Sequence, residues 1–230
     1  MTPDKNTVTG KVNDIDVRKR ALHISVFIAL LVHVAGCMGI AFFDRTFFVT
    51  LTPVNLLLMF FLLIWNEISI SRHWLIFLAL GFFTGFITEI IGVNTGWLFG
   101  QYVYGSLLGP KILGVPLLIG VNWFCIVYCS LQLGLILFPG IHAKPAIASL
   151  MAAIFATLFD WMMEPVAMVL GYWQWDNGVI PYYNYVCWFL ISFLLSVVYF
   201  RVSQFRHNAF AVPMLLIQFL FFLVLRILIV

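Results

Sequence analysis

Charged side chains are scarce in this sequence: only 9% of its 230 residues are Asp, Glu, Lys or Arg, whereas 63% are hydrophobic. Soluble domains carry roughly 25% charged residues, so the composition excludes an ordinary soluble domain. The mean hydropathy of +1.07 agrees. We therefore expect an integral protein of the inner cell membrane, with a polar cytoplasmic tail over residues 1–20 and a single transmembrane helical domain over residues 21–230.

Several catalytic signatures are also missing. The five histidines are scattered singly, which excludes the clustered histidine boxes of membrane di-iron hydroxylases and desaturases. The sequence has neither the Asp-rich motif of membrane prenyl transferases nor a Gly-rich dinucleotide fingerprint. The last apolar segment has no Lys for a retinal Schiff base, and the four cysteines form no Cys-x-x-Cys pair or Cys/His cluster. We therefore expect neither a metal nor a cofactor, and no nucleic-acid partner.

Long apolar runs are abundant. Runs of about 20 residues predict membrane-spanning helices, and the sequence contains about seven. The fold class expected is therefore all-α, a polytopic membrane helix bundle. The predicted spans cover roughly residues 22–43, 51–70, 74–93, 113–138, 146–170, 183–203 and 210–230.

The positions of the basic residues predict an orientation. If the spans alternate in direction, nine of the 12 Lys and Arg residues lie on the side of the N-terminus and three lie on the opposite side. The positive-inside rule then places the N-terminus in the cytoplasm and the C-terminus outside. The cytoplasmic set is Lys5, Lys11, Arg18, Lys19, Arg20, Arg72, Lys144, Arg201 and Arg206, and the outer set is Arg45, Lys111 and Arg226.

Two hairpins of the sequence share one pattern. In each, Glu, six residues and then Gly-[Trp/Tyr] precede the outer loop, and Pro, six residues and then Trp-Phe follow it. The first copy uses Glu89 and Pro116, and the second uses Glu164 and Pro181. Both hairpins run from inside to outside and back. The pattern therefore predicts a parallel repeat of helices 3-4 and 5-6, related by a pseudo-twofold axis along the membrane normal.

Three carboxylates fall inside predicted spans, whereas the other six acids lie in the tail, in loops or near a helix end. Glu89 and Asp160 both lie about 22 Å from the inner ends of their helices, and Glu164 follows Asp160 by one turn on the same face. A charged group at the centre of a membrane costs roughly 2.5–3.5 kcal/mol. Such groups normally face a bundle interior and are functional, although a structural hydrogen-bond network is the alternative.

No basic residue is predicted at the depth of these acids. Low dielectric and mutual repulsion then favour protonated carboxyls, and adjacent acids titrate as a coupled set. Such an arrangement suits acid chemistry on an apolar substrate. Aromatic residues of the two outer loops are expected nearby, although Trp and Tyr also anchor membrane proteins at the interface. His33, in the first span, is more typical of a structural histidine than of a catalytic base.

The motifs of the two hairpins resemble the carotenoid biosynthesis membrane-protein family, which includes carotenoid 1,2-hydratases and bisanhydrobacterioruberin hydratases. The resemblance covers helix three to helix six. It rests on "TEIIG" and "GQYVYGSLLGPKILGVP" in the first hairpin, and on "DWMMEPVAMVLGYWQW" and "IPYYNYVCWF" in the second.

The resemblance implies hydration of the terminal C1=C2 double bond of an acyclic carotenoid end group, of the lycopene, γ-carotene or bisanhydrobacterioruberin type. From the residues we assign Asp160 as the acid, with Glu164 or Glu89 orienting or deprotonating the water. Aromatic faces can stabilise the cation. The expected substrate-binding residues are Trp123, Trp161, Trp173, Trp175, Trp188, Tyr102, Tyr104 and Asn184.

Two other functions stay open on the sequence. A carotenoid cyclase such as a lycopene cyclase begins with the same protonation, but an internal double bond traps the cation. A non-enzymatic membrane transporter or lipid-binding scaffold can also carry repeats and buried acids. The expected partners are a carotenoid substrate, membrane lipid and other enzymes of the carotenoid pathway, and the sequence does not define an oligomeric state.

Overall fold

Helices dominate the computed structural model, which describes residues 5–138, 144–202 and 207–230. Six helices of this part of the chain are long and apolar enough to cross a membrane, so the protein is a multi-pass membrane protein built as an all-α bundle. The remaining two, α2 and α3, are shorter. The helices are α1 (Lys5–Phe42), α2 (Arg45–Thr50), α3 (Thr52–Trp65), α4 (Arg72–Thr95), α5 (Leu117–Leu137), α6 (Pro145–Val169), α7 (Tyr182–Val202) and α8 (Ala211–Ile229).

The second predicted span, residues 51–70, is shorter than expected. α3 has Pro53 in its first turn, where the missing N–H is tolerated, and it ends at the C-cap Asn66. Its 14 residues extend about 21 Å, less than the roughly 30 Å of a hydrocarbon core. Thr52, the first residue of α3, shares a hydrogen bond with Tyr172, and the C-cap Asn66 donates one to Ser25 of α1. The count of seven spans and the orientation stay predictions.

The ends of the other long helices agree with the predicted spans to within a few residues, apart from the start of α1. α1 begins at Lys5, so the backbone is already helical through most of the predicted polar tail. α5 is the central helix and packs against α3, α4, α6, α7 and α8. Every residue from Trp123 to Gln132 is buried, as expected of a helix that is apolar all round.

Two short β ladders cover the end of the bundle where α4 and α6 finish, which we name the strand end. β1 (Tyr102–Tyr104) pairs antiparallel with β4 (Trp173–Trp175), and β2 (Lys111–Ile112) pairs with β3 (Val115–Pro116). In the first ladder Tyr102 lies opposite Trp175, and Tyr104 lies opposite Trp173. Successive strand residues point to opposite faces, so these four aromatic side chains are buried together while Val103 and Gln174 are exposed.

Candidate active site

Three buried carboxylates meet in one cavity beneath the β1–β4 ladder. Glu89 comes from α4, whereas Asp160 and Glu164 lie one turn apart on α6. The cavity has a volume of about 20 Å³, which is room for about one water. It is lined by Glu89, Phe99, Tyr102, Tyr104, Ile119, Asn122, Trp123, Asp160, Met163, Glu164, Trp173, Trp175, Asn184 and Trp188. We refer to this space as the acid cavity.

Glu89 is held by three donors. The hydroxyls of Tyr102 and Tyr104 both donate to Oε2, with Tyr104 at 2.7 Å, and Nε1 of Trp123 donates to Oε1 at 2.9 Å. Burial, followed by the neighbouring Glu89, raises the pKa of both phenols well above its usual range. Both phenols therefore keep their protons and act as donors. Both oxygens of Glu89 are thus engaged, and its carboxyl group is fixed in one orientation.

Glu164 is held by the paired strand. The indole nitrogens of Trp173 and Trp175 both donate to Oε2, at 2.9 and 2.7 Å. The two rings reach the same oxygen because they are two residues apart on β4 and so share a face. Both indole donors meet Oε2, and neither of them meets Oε1. Glu164 therefore has one oxygen that can accept a proton from a molecule in the cavity.

Asp160 differs from both glutamates. Its Oδ2 accepts a hydrogen bond of 2.9 Å from Nδ2 of Asn184 on α7. Its Oδ1 is fully buried and has no partner among the described residues, although leaving such an atom unpaired costs about 1–3 kcal/mol. A buried oxygen without a protein partner can contact a bound water or take a catalytic role, and this one lines the acid cavity. In its protonated form, Asp160 can direct this oxygen's proton at a bound molecule.

Two stacked indoles form a wall of the acid cavity. The rings of Trp123 and Trp188 are nearly parallel, at 8°, with centroids 3.6 Å apart. Gly85 of α4 makes room for this pair, because a Cβ at that position would lie 2.3 Å from Cβ of Trp123. The stack therefore depends on a glycine one turn before Glu89. Both indoles line the cavity that contains the acids.

The two halves of the sequence meet at this site in matched pairs. Each glutamate accepts two donors from its own outer-loop strand, and those two strands pair with each other. The two tryptophans of the repeated Trp-Phe motif stack face to face. The match ends one turn earlier, where Gly85 occupies the position in the first half that Asp160 occupies in the second.

Residues 47–230 match the family model described as carotenoid biosynthesis protein. The chain belongs to this family. Over 106 residues it is 33% identical to the bisanhydrobacterioruberin hydratase of Haloarcula japonica. That match covers 44% of this chain and 36% of the relative, so it spans about a third of the relative's length. No solved structure matches the chain. The family match confirms the resemblance inferred from the two hairpins and extends it to α3 and α8.

The structure brings together all but one of the site residues expected in this family member. Trp161 is the exception: its side chain is 46% exposed and does not line the acid cavity. Pro165 has no N–H to bond the carbonyl of Trp161, and Nη1 of Arg226 donates to that carbonyl instead, at 3.0 Å. The guanidinium also lies 4.3 Å from the centre of the Trp161 ring. Trp161 therefore faces away from the acids and packs with α8.

Four residues line the acid cavity that the sequence did not indicate: Phe99, Ile119, Asn122 and Met163. Asn122 carried the clearest signal, because it is a polar residue within an apolar run and directly precedes Trp123. Ile119 and Met163 are typical core residues, so nothing in the sequence distinguishes them from ordinary packing. Their assignment to the site required the positions of α5 and α6.

Two other polar groups lie apart from the acid cavity. Glu67 follows the end of α3, and its Oε2 accepts hydrogen bonds from Tyr128 at 2.7 Å and Asn208 at 3.1 Å. His33 has Nδ1 at 2.7 Å from the carbonyl of Ala29, and its ring packs edge-on against Phe221. Both residues have structural partners, and neither lines the acid cavity.

A polar vestibule at the strand end adjoins the acid cavity. Asn94, Gln101, Gln174 and Asp176 are among its lining residues, and it shares Tyr102 and Trp175 with the acid cavity. The rings of this shared pair have centroids 4.7 Å apart. The side chains of Tyr102 and Trp175 therefore lie between the acids and this polar vestibule. The vestibule has a volume of about 440 Å³.

Proposed function

We propose that this member of the carotenoid biosynthesis family is a cofactor-independent hydratase. In this proposal it adds water across the terminal C1=C2 double bond of an acyclic carotenoid end group, of the lycopene, γ-carotene or bisanhydrobacterioruberin type. The observation that carries the proposal is the unpartnered Oδ1 of Asp160, which lines one cavity with two glutamates fixed by donors. The name of the Haloarcula japonica relative, a hydratase, supports the same reaction.

The first step is proton transfer from Asp160. The protonated carboxyl donates its proton to C2, the π electrons of the double bond form the new C2–H bond, and a tertiary cation develops at C1. Asp160 suits this role because its unpaired oxygen faces a cavity rather than a protein donor. Asn184, through its bond to Oδ2, keeps the carboxyl group oriented and stabilises the carboxylate that remains.

The cation at C1 is stabilised by the groups around it. An outer π face of the Trp123–Trp188 stack attracts a positive charge through its quadrupole, an interaction worth about 2 kcal/mol when desolvated. Fixed carboxyl oxygens of Glu89 and Glu164 add electrostatic stabilisation without reorganising, because their donors already hold them. The stacked indoles and the glutamates line the same cavity, so both effects act on one position.

Water then captures the cation. A water molecule from the vestibule attacks C1 and loses one proton to Oε1 of Glu164, forming the C–O bond of a tertiary alcohol. Glu164 is the better base of the two glutamates because both oxygens of Glu89 already accept hydrogen bonds. Return of the proton from Glu164 to Asp160, one turn away on α6, restores the starting state. No electrons are exchanged with another molecule.

We also propose that the two hairpins are related by the predicted pseudo-twofold axis, and that catalysis breaks this symmetry. The paired strands and the stacked tryptophans support the relation. Only the second half carries an acid one turn before its glutamate, since the first half has Gly85 there. A single proton donor on one side of a shared cavity is what a reaction on one end group requires.

Expression in a lycopene-producing bacterium tests the proposed reaction. A hydrated product is more polar in chromatography but keeps the conjugated chromophore, so we expect a shifted retention time with an unchanged visible spectrum. Cells carrying the empty vector are the control. A product with a changed absorption spectrum indicates a cyclase and contradicts the proposal. Unmodified lycopene alongside abundant membrane-inserted protein contradicts it for this substrate.

A further inference from the structure

Two adjoining spaces lie between the side of the bundle and the acid cavity, and we refer to them together as the passage. The outer space lies between α1, α3 and α8 and has a volume of about 240 Å³. The inner space has a volume of about 60 Å³. The two parts share the lining residues Thr52, Asn55 and Phe221. The inner part then shares Ile119, Asn122, Met163 and Trp173 with the acid cavity.

We propose that this passage is the binding site for the apolar isoprenoid chain of the substrate. The chain would enter sideways from the lipid between α1 and α3, with its reactive end directed at Asp160. This inference rests on the proposed function for the identity of the reacting end. The binding of a long apolar polyene in the passage can nevertheless be measured without any reaction.

The surroundings of the mouth favour a ligand that arrives from lipid. Val54 and Leu51, at the outer edge of the passage, are 64% and 41% exposed, and they lie on a helix bundle whose outer surface is apolar. Val32, Ile40 and Leu58 line the outer part. A hydrocarbon chain that moves from lipid into this space keeps apolar surroundings, so its transfer costs little.

The vestibule at the strand end is unsuited to such a chain. Its lining includes Asn94, Gln101, Gln174 and Asp176, and burying these polar groups against hydrocarbon without hydrogen bonds is unfavourable. The acid cavity therefore adjoins two spaces of different character. Water suits the polar space. The isoprenoid chain suits the passage, whose lining is mainly apolar and includes the polar residues Thr52, Asn55, His33, Asn122 and Gln218. Both reactants can thus meet at the acids without competing for one entrance.

The wall between the passage and the acid cavity can yield to an end group. The acid cavity has room for about one water, so an isopropylidene end must displace part of this wall. Trp173 is fixed by its bond to Glu164. Met163 is the side chain best able to move, because it is unbranched and has three rotatable bonds. Asn122 lies beside it and has an amide that can contact the product alcohol.

A pair of neighbouring substitutions tests the passage. Ala35 lines its outer part, whereas Val34, the preceding residue of α1, is 60% exposed and does not line it. Ala35→Trp should fill the mouth, and Val34→Trp should add the same ring to the lipid-facing surface. Both changes are made in the Asp160→Asn background, so that substrate is retained unreacted. Lycopene bound per purified protein is measured by absorbance after expression in lycopene-accumulating cells.

We expect Ala35→Trp to retain at least fivefold less lycopene than Val34→Trp, with both proteins monodisperse. Equal retention by the two variants, or no retention by the Asp160→Asn parent, overturns the proposal. If Ala35→Trp does not fold, thiol labelling replaces it in a cysteine-free chain. Bound lycopene should then slow maleimide labelling of Ala35→Cys but not of Val34→Cys, and equal rates overturn the proposal. If the Asp160→Asn protein binds lycopene in the passage but the parent chain with Asp160 yields no hydrated product, only the proposed function is contradicted.

Discussion

Replacing Asp160 by Asn removes the proposed proton donor with almost no change in shape. The side-chain oxygen of Asn can still accept the bond from Asn184, which is 2.9 Å long in the native protein. The new NH2 group takes the place of Oδ1, which has no partner to lose within the described residues. The variant loses neither volume nor a hydrogen bond, so we expect it to accumulate in membranes at the level of the parent.

The expected effect on the reaction is large. General acid catalysis typically contributes roughly 10²–10⁴-fold to a rate, which corresponds to about 2.7–5.4 kcal/mol. Glu89 has both oxygens engaged by donors, and Glu164 is the proposed base, so no other group in the cavity can replace Asp160. We therefore expect the initial rate of hydrated product to fall at least 100-fold.

The assay compares membranes that contain equal amounts of folded protein. Asp44→Asn is the matched control, because Asp44 is exposed, caps α2 and lies outside the acid cavity. Asn is an equally good cap, so this variant should keep the rate of the parent within about twofold. An Asp160→Asn protein that is folded and hydrates at nearly the rate of the parent refutes the assignment of the acid.

Three further predictions test the surroundings of the acids. Gly85→Ala should displace Trp123, whose Cβ would lie 2.3 Å from the new methyl group, and near-ultraviolet circular dichroism should report the loss of the Trp123 stack; an unchanged spectrum contradicts this. Glu89→Gln should lower the free energy of unfolding by about 1–3 kcal/mol, because the NH2 group of Gln must face a donor that now meets a carboxyl oxygen and leaves that donor unsatisfied; steric-trap unfolding in bilayers measures it, and no change contradicts the bond network. In a cysteine-free chain, Gln101→Cys should react with an impermeant maleimide from outside the cell, and labelling only in inverted vesicles reverses the predicted orientation.

The meeting of the three acids could be predicted because it depends on local periodicity. Asp160 and Glu164 are four residues apart and therefore share a helix face. The repeated spacing from glutamate to glycine predicts that Glu89 and Glu164 lie at matching distances from the outer ends of their helices, about one turn and a half before each helix ends. Gly96 and Gly171 both follow their helices with positive φ, at 69° and 76°, a conformation that glycine adopts readily at a helix end.

The strands and the partners of the acids could not be predicted in the same way. β1 and β4 have three residues each and pair across about 70 residues of sequence, so no local turn signal marks them. Their aromatic residues are equally typical of an interfacial belt. Only the pairing shows that alternate side chains turn inward and donate to Glu89 and Glu164 rather than face the lipid.

The errors in the prediction also have physical causes. Hydropathy extended the second span to residue 70, but Asn66 bonds Ser25 and the carbonyl of Leu62 at the C-cap, where α3 ends. Trp161 was expected to bind substrate through its aromatic face, but it directly follows Asp160 on α6, and adjacent helix positions point about 100° apart. Helical geometry thus predicts which residues share a face, but not which face meets a neighbouring helix.

The source of the oxygen atom in the product tests the central claim most directly. If a protonated carboxyl generates a tertiary cation that water captures, membranes incubated in oxygen-18 water should yield a carotenoid alcohol that carries the label. The same reaction in ordinary water under oxygen-18 gas should yield unlabelled alcohol. Label from the gas and none from the water contradicts proton-initiated hydration at the acid cavity.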